Sequence, residues 1–134
     1  MSLQYLINTD TFIYIKNHRP PQVLERFHTL KTGSSAISVI TYGELFRGCE
    51  RSDFKQRNHD RLKQLIHSIS VQALPIEVGA IYGKLRTELE KQGNIIGGND
   101  MWIAAHALSL GLTLITTNTQ EFSRVDGLKI ENWV

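Results

Sequence analysis

The fold prediction begins with Tyr5-Leu6-Ile7-Asn8-Thr9-Asp10, near the start of the chain. Its three apolar residues predict a short buried strand, and the polar residues after them mark the end of that strand. Phe12–Lys16 then predicts the start of a helix, with Asp10 or Thr11 available to cap its first turn. A strand that leads directly into a helix is the unit from which parallel sheets are built.

The same alternation of strand and helix repeats along the chain. Three more strands and a candidate fifth are predicted at Ala36–Ile40, Val71–Leu74, Leu112–Thr116 and Leu128–Ile130. Helices are predicted from Pro20-Pro21 to Gly33, from Thr41 through Cys49, and over Gln56–Ile69, Val78–Gln92 (with Gly93 as C-cap) and Met101–Leu110. Right-handed crossovers between such strands place helices on both faces of the sheet. We therefore predict an α/β fold, a single domain over residues 1–134 with a mostly parallel sheet of four to five strands.

Composition restricts the class of protein without identifying it. A chain of 134 residues can bury a core without disulfides, and the lone Cys49 cannot form an internal one. No secretory signal or membrane-length apolar run is present, so we expect a cytoplasmic protein with no membrane contact. A net charge of +2 is too small to indicate nucleic-acid binding, and the basic residues near 16–19 and 47–57 are explained as solvated helix ends and loops.

Polar side chains fall where the predicted strands end. They are Asn8 and Asp10 after the first strand, Glu44 one helical turn after the second, Asp100 at the start of the helix before the fourth, and Asn118, Thr119 and Glu121 after the fourth. Because ligands of open α/β sheets bind beyond the carboxyl ends of the strands, these side chains could converge on one site. Their oxygens are the ligands that Mg²⁺ and Mn²⁺ prefer.

Each acid also has a simpler explanation. Asp10 and Asp100 could be helix N-caps. Glu44 could lie on the exposed side of its helix, and Glu121 could be an ordinary surface residue. No single acid indicates a site, and only the whole set of positions does.

Three other features of the sequence do not indicate a functional site. His106 follows Asp100 by six residues, so we expect a packed or hydrogen-bonded helix histidine on a different face. Cys49 has no evident base partner and is not interpreted as a nucleophile. Gly97-Gly98 lacks the spacing of a phosphate-binding loop or a dinucleotide fingerprint.

The motifs resemble those of PIN-domain ribonucleases of the VapC toxin type, over nearly the whole chain. Tyr5 to Asp10 resembles the opening motif, a strand followed by Asp-Thr-Asn or Asp-Thr-Asp, and Ser38-Val39-Ile40-Thr41-Tyr42-Gly43-Glu44-Leu45 resembles the second. Gly97-Gly98-Asn99-Asp100-Met101-Trp102-Ile103-Ala104-Ala105-His106-Ala107 is similar to the third. Thr117-Asn118-Thr119-Gln120-Glu121-Phe122, with Val125, Gly127-Leu128 and Glu131-Asn132-Trp133, resembles the C-terminal end of VapC toxins.

The resemblance implies an Mg²⁺- or Mn²⁺-dependent endoribonuclease that cleaves structured RNA, commonly tRNA, and arrests translation. It further implies a homodimer held by a VapB antitoxin, with operator DNA contacted only through that antitoxin. The catalytic and metal-binding positions it implies are Asn8, Glu44, Asp100 and Glu121, with Asp10, Asn118 and Thr119 in support and Lys16, Arg19 and Arg86 as RNA contacts.

Position 8 departs from the family pattern, which has aspartate there. Either Asp10 takes over the role of the missing carboxylate, or Asn8 is an inactivating change. We favour inactivation, because Asp is common at the third position of this motif and residue 8 itself ends the strand. This account predicts weak metal binding and little RNA cleavage.

Other function classes compete with the nuclease. A binding-only module that sequesters antitoxin or RNA is favoured by Asn8. A receiver-like or phosphatase-like phosphoryl-transfer domain would need an aspartate nucleophile at the end of a strand, and residue 8 is not acidic. A plain structural α/β domain does not explain why acids fall at the motif positions in order.

Overall fold

The structure, a computed structural model, describes residues 2–134. Strands β1 to β5 are Tyr5–Ile7, Ser35–Ser38, Ser70–Gln72, Thr113–Ile115 and Ile130–Glu131. Helices α1 to α7 are Thr9–Asn17, Pro21–His28, Val39–Glu50, Lys55–Leu65, Ile76–Gln92, Gly98–Leu110 and Thr119–Phe122. The predicted alternation of strands and helices is confirmed.

The five strands form one parallel sheet in the order β3-β2-β1-β4-β5. The chain builds outward from β1 through β2 to β3, then returns to the other side of β1 for β4. The topological switch point therefore lies between β1 and β4, and this is where ligands bind in open α/β sheets. The register sets Ile7 opposite Ile115, so Asn8 and Thr116 leave the sheet side by side.

Each face of the sheet carries its own buried core, because successive strand residues point to opposite faces. Leu6 and Leu114 pack on one face with side chains of α5 and α6 such as Leu89 and Met101. Ile7 and Ile115 pack on the other face with side chains from α1 to α4, including Phe12, Val23, Leu45 and Leu62. Helices cover both faces, as predicted.

Several predicted boundaries were wrong, and the first helix is the most informative. It begins at Thr9, directly after the strand, with Asn8 at the N-cap position but no capping hydrogen bond from its side chain. Asp10 therefore lies inside the first helical turn, and the prediction that Asp10 or Thr11 caps the helix was wrong. Its carboxylate instead forms hydrogen bonds across the site with residues that follow β4.

Other helices start or stop away from their predicted ends. α3 begins at Val39 because Ser38 accepts a hydrogen bond from the Ile40 backbone N–H (3.1 Å) and caps the helix before Thr41. α2 ends at His28, five residues before Gly33, and α4 ends at Leu65 rather than Ile69. The short helix α7 was not predicted, since four residues are too few to show a helical period.

α5 is the longest helix, with 17 residues, and it ends as predicted at Gly93. Gly93 adopts φ +67°, a left-handed conformation that glycine reaches without strain. Among residues 2–134, no helix combines the length and apolarity needed to cross a membrane.

His106 is confirmed as a buried, hydrogen-bonded helix histidine. It is fully buried, and its Nδ1 lies 2.8 Å from the hydroxyl oxygen of Ser38, the residue that caps α3. Burial lowers the pKa of His106, and the neighbouring backbone of Ala73 opposes that shift. A neutral imidazole thus joins α6 to the start of α3.

Candidate active site

Asn8 lies at the switch point, at the end of β1. Its side chain is only 5% exposed, and its Nδ2 donates a hydrogen bond to Thr116 Oγ1 (3.1 Å). Its Oδ1 is buried and has no hydrogen-bond partner within the described residues. A buried polar oxygen without a partner costs free energy, so this atom fits a water or a hard cation that would bind it.

Asp10 is held by hydrogen bonds on both of its carboxylate oxygens. Oδ2 accepts from the Thr116 hydroxyl (3.0 Å), the Thr117 backbone N–H (3.0 Å) and the Thr117 hydroxyl (2.7 Å). Oδ1 accepts from the Thr11 backbone N–H (2.6 Å) and lies 3.2 Å from the Thr11 hydroxyl. These contacts fill the acceptor capacity of a carboxylate. Asp10 therefore ties the first turn of α1 to the segment that follows β4.

Glu44 projects from the second turn of α3 toward the start of α1. The Thr9 hydroxyl donates to Glu44 Oε1 across 2.6 Å. The hydroxyl of Thr41 lies 3.1 Å from the same Thr9 oxygen and can donate to it. Two threonines from different helices thus orient one carboxylate oxygen, and the simpler account of Glu44 as an unattached surface acid does not fit this geometry.

Asp100 lies in the first turn of α6, where the positive end of the helix dipole favours a carboxylate. Its pKa is nevertheless raised to about 6. Partial burial is the largest cause, followed by the negative charges of Glu121, Glu44 and Asp10. The acids predicted from distant parts of the sequence thus lie close enough to Asp100 for their charges to raise its pKa.

Glu121 extends from α7 and accepts two hydrogen bonds. They come from the Gly97 backbone N–H to Oε1 (3.0 Å) and from Asn118 Nδ2 to Oε2 (2.7 Å). These bonds hold the pKa of Glu121 below its usual value, and the bond from Asn118 has the larger effect. Glu121 thereby links α7 to the residue before α6, the helix that carries Asp100.

The convergence is loose rather than a closed metal cage. Within residues 2–134, no three Asp, Glu, His or Cys side chains lie close enough together to form a ready-made metal centre. Oxygen donors of the kind that a hard cation prefers are nonetheless present: the carboxylates of Glu44 and Glu121, which act on Asp100, the carboxylate of Asp100 itself, and the unpaired Oδ1 of Asn8. A cation held there would also offset the repulsion that raises the pKa of Asp100.

The remaining predicted residues divide into near and distant ones. Asn118 bonds Glu121, whereas the Thr119 side chain forms no hydrogen bond to any of the acids in the described chain. Lys16 lines the same groove as Thr9 and Glu44. Arg19 is exposed beyond the end of α1.

Arg86 lies on α5, with its guanidinium on the Tyr82 hydroxyl (2.7 Å) and near Glu90 (3.5 Å). The Tyr82 ring in turn stacks on Trp102 of α6 at 3.7 Å. Within residues 2–134, Arg86 forms no ion pair or side-chain hydrogen bond with Asp100, Glu44 or Glu121.

Four threonines were missed by sequence reasoning. Thr9 and Thr41 orient Glu44, and Thr116 and Thr117 hold Asp10. The only signal for them was position, since Thr9 and Thr41 lie inside the first two motifs and Thr116 and Thr117 follow the fourth strand. Hydroxyls at strand ends are so common that position alone could not distinguish these four.

Comparison with known proteins assigns the family. The PIN-domain model matches residues 5–128. The chain is 39% identical over 132 residues to ribonuclease VapC2 of Haemophilus influenzae, covering 98% of this chain and 99% of that protein. It is 37% identical to the tRNA(fMet)-specific endonuclease VapC of Shigella flexneri, covering 98% of each chain.

A solved structure agrees with these relatives. The crystal structure of VapBC2 from Rickettsia felis bound to a promoter DNA fragment superposes on this chain with a TM-score of 0.92, at 35% identity and over 100% of both chains. Fold, motif order and full-length identity lead to the same assignment. The chain belongs to the PIN-domain family, among the VapC ribonucleases.

Proposed function

We propose that this chain is the toxin of a VapBC-type pair, an endoribonuclease that uses Mg²⁺ or Mn²⁺ to cleave tRNA and arrest translation. The observation that supports the proposal is the raised pKa of Asp100, which Glu121 and Glu44 help to cause, together with the buried, unpaired oxygen of Asn8 at the switch point. Oxygen donors of this kind at a sheet's switch point suit a hard cation and a phosphodiester.

The residues have distinct roles in this proposal. Glu44, Asp100 and Glu121 hold the cation, the Thr9 hydroxyl fixes Glu44, and Asn118 fixes Glu121. When bound, the cation lowers the pKa of a water and offsets the charge that develops on the transferred phosphorus. Two carboxylates about 4 Å apart repel each other by roughly 4 kcal/mol at an effective dielectric of about 20, and a cation between them reverses that cost.

We further infer that Asn8 lowers both metal affinity and catalytic activity. The alternative, in which Asp10 replaces the missing carboxylate, is disfavoured because donors already occupy both oxygens of Asp10. Moving Asp10 onto a metal would release Thr117 and Thr116 from their hydrogen bonds. Asn8 offers one neutral oxygen where an aspartate would add a full negative charge.

The partners follow from what the relatives are named for. The Shigella flexneri protein is named as specific for tRNA(fMet), and the Rickettsia felis structure is of VapBC2 bound to promoter DNA. We accordingly propose tRNA as the substrate, a VapB-type antitoxin as the partner and a homodimer as the assembly. Operator DNA would be contacted through the antitoxin only. The lone, buried Cys49 suits the reducing cytoplasm.

The experiment compares this chain with its Asn8→Asp form on a bulk tRNA pool with Mg²⁺ or Mn²⁺. We expect cleavage by the Asn8→Asp form only, and its loss in EDTA. Asn94→Asp, an exposed residue outside the site, adds the same charge and is the matched control. Equal cleavage by both proteins would show that Asn8 does not impair the site.

A metal titration separates the nuclease from a protein that only binds. Isothermal calorimetry with Mn²⁺ should show tighter binding by the Asn8→Asp form than by the parent or the control. If neither form binds Mn²⁺ or cleaves tRNA, while antitoxin or RNA still binds, the chain is a binding module and the enzymatic proposal fails.

A further inference from the structure

A groove runs away from the acids between α1 and α3. Thr9, Ile13 and Lys16 line it from α1, and Glu44, Leu45 and Gly48 line it from α3. Its volume is about 180 Å³. Pockets for drug-sized ligands begin at roughly 300 Å³, so this groove has room for a single ring-sized group.

The two ends of the groove differ in charge. Glu44, held by the Thr9 hydroxyl, stands at one end, and Lys16 stands two helical turns further along the same face of α1. Between them the wall is apolar, with Ile13 36% exposed and Leu45 on the floor. A ligand that fits would present an anion to Lys16 and an apolar or aromatic surface to Ile13.

Lys16 is a half-buried cation without a partner. Within residues 2–134 it forms no ion pair and no side-chain hydrogen bond. Its place in the last turn of α1 suits the helix dipole, and the residue is partly buried along the groove. An anion in the groove could pair with its ammonium directly.

Gly48 leaves the α3 side of the groove open. A glycine inside a helix costs about 1 kcal/mol relative to alanine. The fold does not require that cost here, because a Cβ built on Gly48 meets nothing within 4 Å. A side chain at this position would instead occupy the groove, so the absence of one preserves the space.

We propose that this groove binds the nucleotide next to the scissile phosphate of the RNA substrate. Lys16 pairs with a backbone phosphate, and the base or ribose packs on Ile13 in the space that Gly48 leaves open. The inference rests on the proposed ribonuclease function, since a phosphodiester at Glu44 places the adjoining nucleotide at the mouth of the groove. A peptide is the alternative occupant, but a continuous backbone of anions matches the unpaired Lys16 better.

The test measures RNA binding directly, which the parent chain allows because Asn8 is expected to suppress cleavage. Fluorescently labelled tRNA is titrated with the full chain in Mg²⁺, and the integrity of the RNA is checked afterwards. Gly48→Gln fills the groove, and Gly79→Gln on α5 is the matched control, another exposed helix glycine whose Cβ meets nothing. We expect at least a tenfold loss of affinity for Gly48→Gln and less than a twofold change for Gly79→Gln.

Lys16→Met tests the phosphate contact separately. We expect weaker binding to every RNA, with the slope of log affinity against log salt concentration reduced by about 0.7–0.9, the change for one phosphate contact. Both glycine variants should gain thermal stability, because glutamine favours the helix more than glycine does. A loss of binding by Gly48→Gln together with that gain cannot be attributed to unfolding.

The outcomes separate this inference from the proposed function. If Gly48→Gln and Lys16→Met bind tRNA as tightly as the parent, the groove is not the subsite, while the ribonuclease proposal stands. If Gly48→Gln keeps tRNA affinity but no longer copurifies with coexpressed antitoxin, the groove binds a peptide and the inference is overturned. If the parent chain binds no RNA at all, the inference and the choice of substrate fail together, whatever the metal titration gives.

Discussion

Replacing Asp100 with asparagine should stabilise the metal-free protein near neutral pH. The pKa of Asp100 is raised from 3.8 to about 6 by partial burial and by Glu121, Glu44 and Asp10. A carboxyl group with a raised folded-state pKa favours the folded protein fully below its unfolded value, and this contribution is lost as the pH rises through about 6. In EDTA the parent should therefore lose this contribution to its free energy of unfolding between pH 4 and pH 7. Asp100→Asn has no such contribution to lose.

The magnitude follows from the shift, reduced for exposure. Two pKa units correspond to about 3 kcal/mol, and solvent screening of a half-buried carboxyl lowers this to about 1–2 kcal/mol. Asparagine also gives up the interaction of a charge with the α6 dipole, which is worth about 0.5 kcal/mol. We expect a net gain of roughly 1 kcal/mol at pH 7, or about 3–5 °C in Tm for a chain of this size.

Urea unfolding in EDTA at several pH values between 5 and 8 measures the effect. Glu121 titrates below this window because its pKa is lowered. The lowered pKa of buried His106 gives both proteins an opposite pH dependence within the window, so the difference between the parent and Asp100→Asn curves, rather than either slope alone, reports Asp100. Asp53→Asn, an exposed aspartate, is the control and should run parallel to the parent. Parallel curves for Asp100→Asn and the parent, or a less stable Asp100→Asn at pH 7, would refute the claim that the acids crowd this carboxyl.

Two further predictions concern the framework of the site. Asp10→Ala should destabilise the protein by about 2–3 kcal/mol, because it leaves the Thr116 and Thr117 donors without an acceptor. Chemical denaturation measures this loss. A cost under 0.5 kcal/mol would show that these hydrogen bonds do not stabilise the fold. Ser38→Ala should cost about 2–4 kcal/mol, since it removes the α3 cap and leaves His106 Nδ1 unpaired. The double variant Ser38→Ala with His106→Leu should lose less free energy of unfolding than the sum of the two single variants. Strict additivity in this double-mutant cycle would show that the hydrogen bond between Ser38 and His106 does not contribute to stability.

The positions of the site could be predicted from the sequence because parallel topology decides them. Once β1 and β4 are parallel neighbours, residues that follow them leave the sheet at the same edge. Asn8 and the segment that carries Glu121 therefore lie at one edge of the sheet, although 113 positions separate these two residues. The spacing of the motifs predicted that polar residues gather at that edge of the sheet.

The contacts within the site could not be predicted, because they depend on side-chain direction over long sequence separations. Asp10 had the local signature of an N-cap, yet its carboxylate bonds Thr116 and Thr117, more than a hundred residues away. Gly48 is not distinguished from the other helix glycines by its sequence, and only the structure shows that it lines the groove between α1 and α3. Sequence patterns show which conformation a residue prefers locally. At these positions, contacts with residues far away in the sequence override that preference.

The hydrogen bonds around residue 8 indicate why asparagine and aspartate should give different sites. With asparagine, the bonds run in one direction: Asn8 Nδ2 donates to the Thr116 hydroxyl, which donates to Asp10. Aspartate cannot donate, so the single proton of Thr116 would have to serve either residue 8 or Asp10, and one carboxylate would lose a partner. A cation would supply the missing interaction. With asparagine the Thr116 proton serves Asp10 alone, and only Asn8 Oδ1 is left without a partner. Added Mn²⁺ should therefore raise the Tm of the Asn8→Asp form by more than that of the parent, and an equal rise in both would show that this hydrogen-bond chain does not govern metal binding.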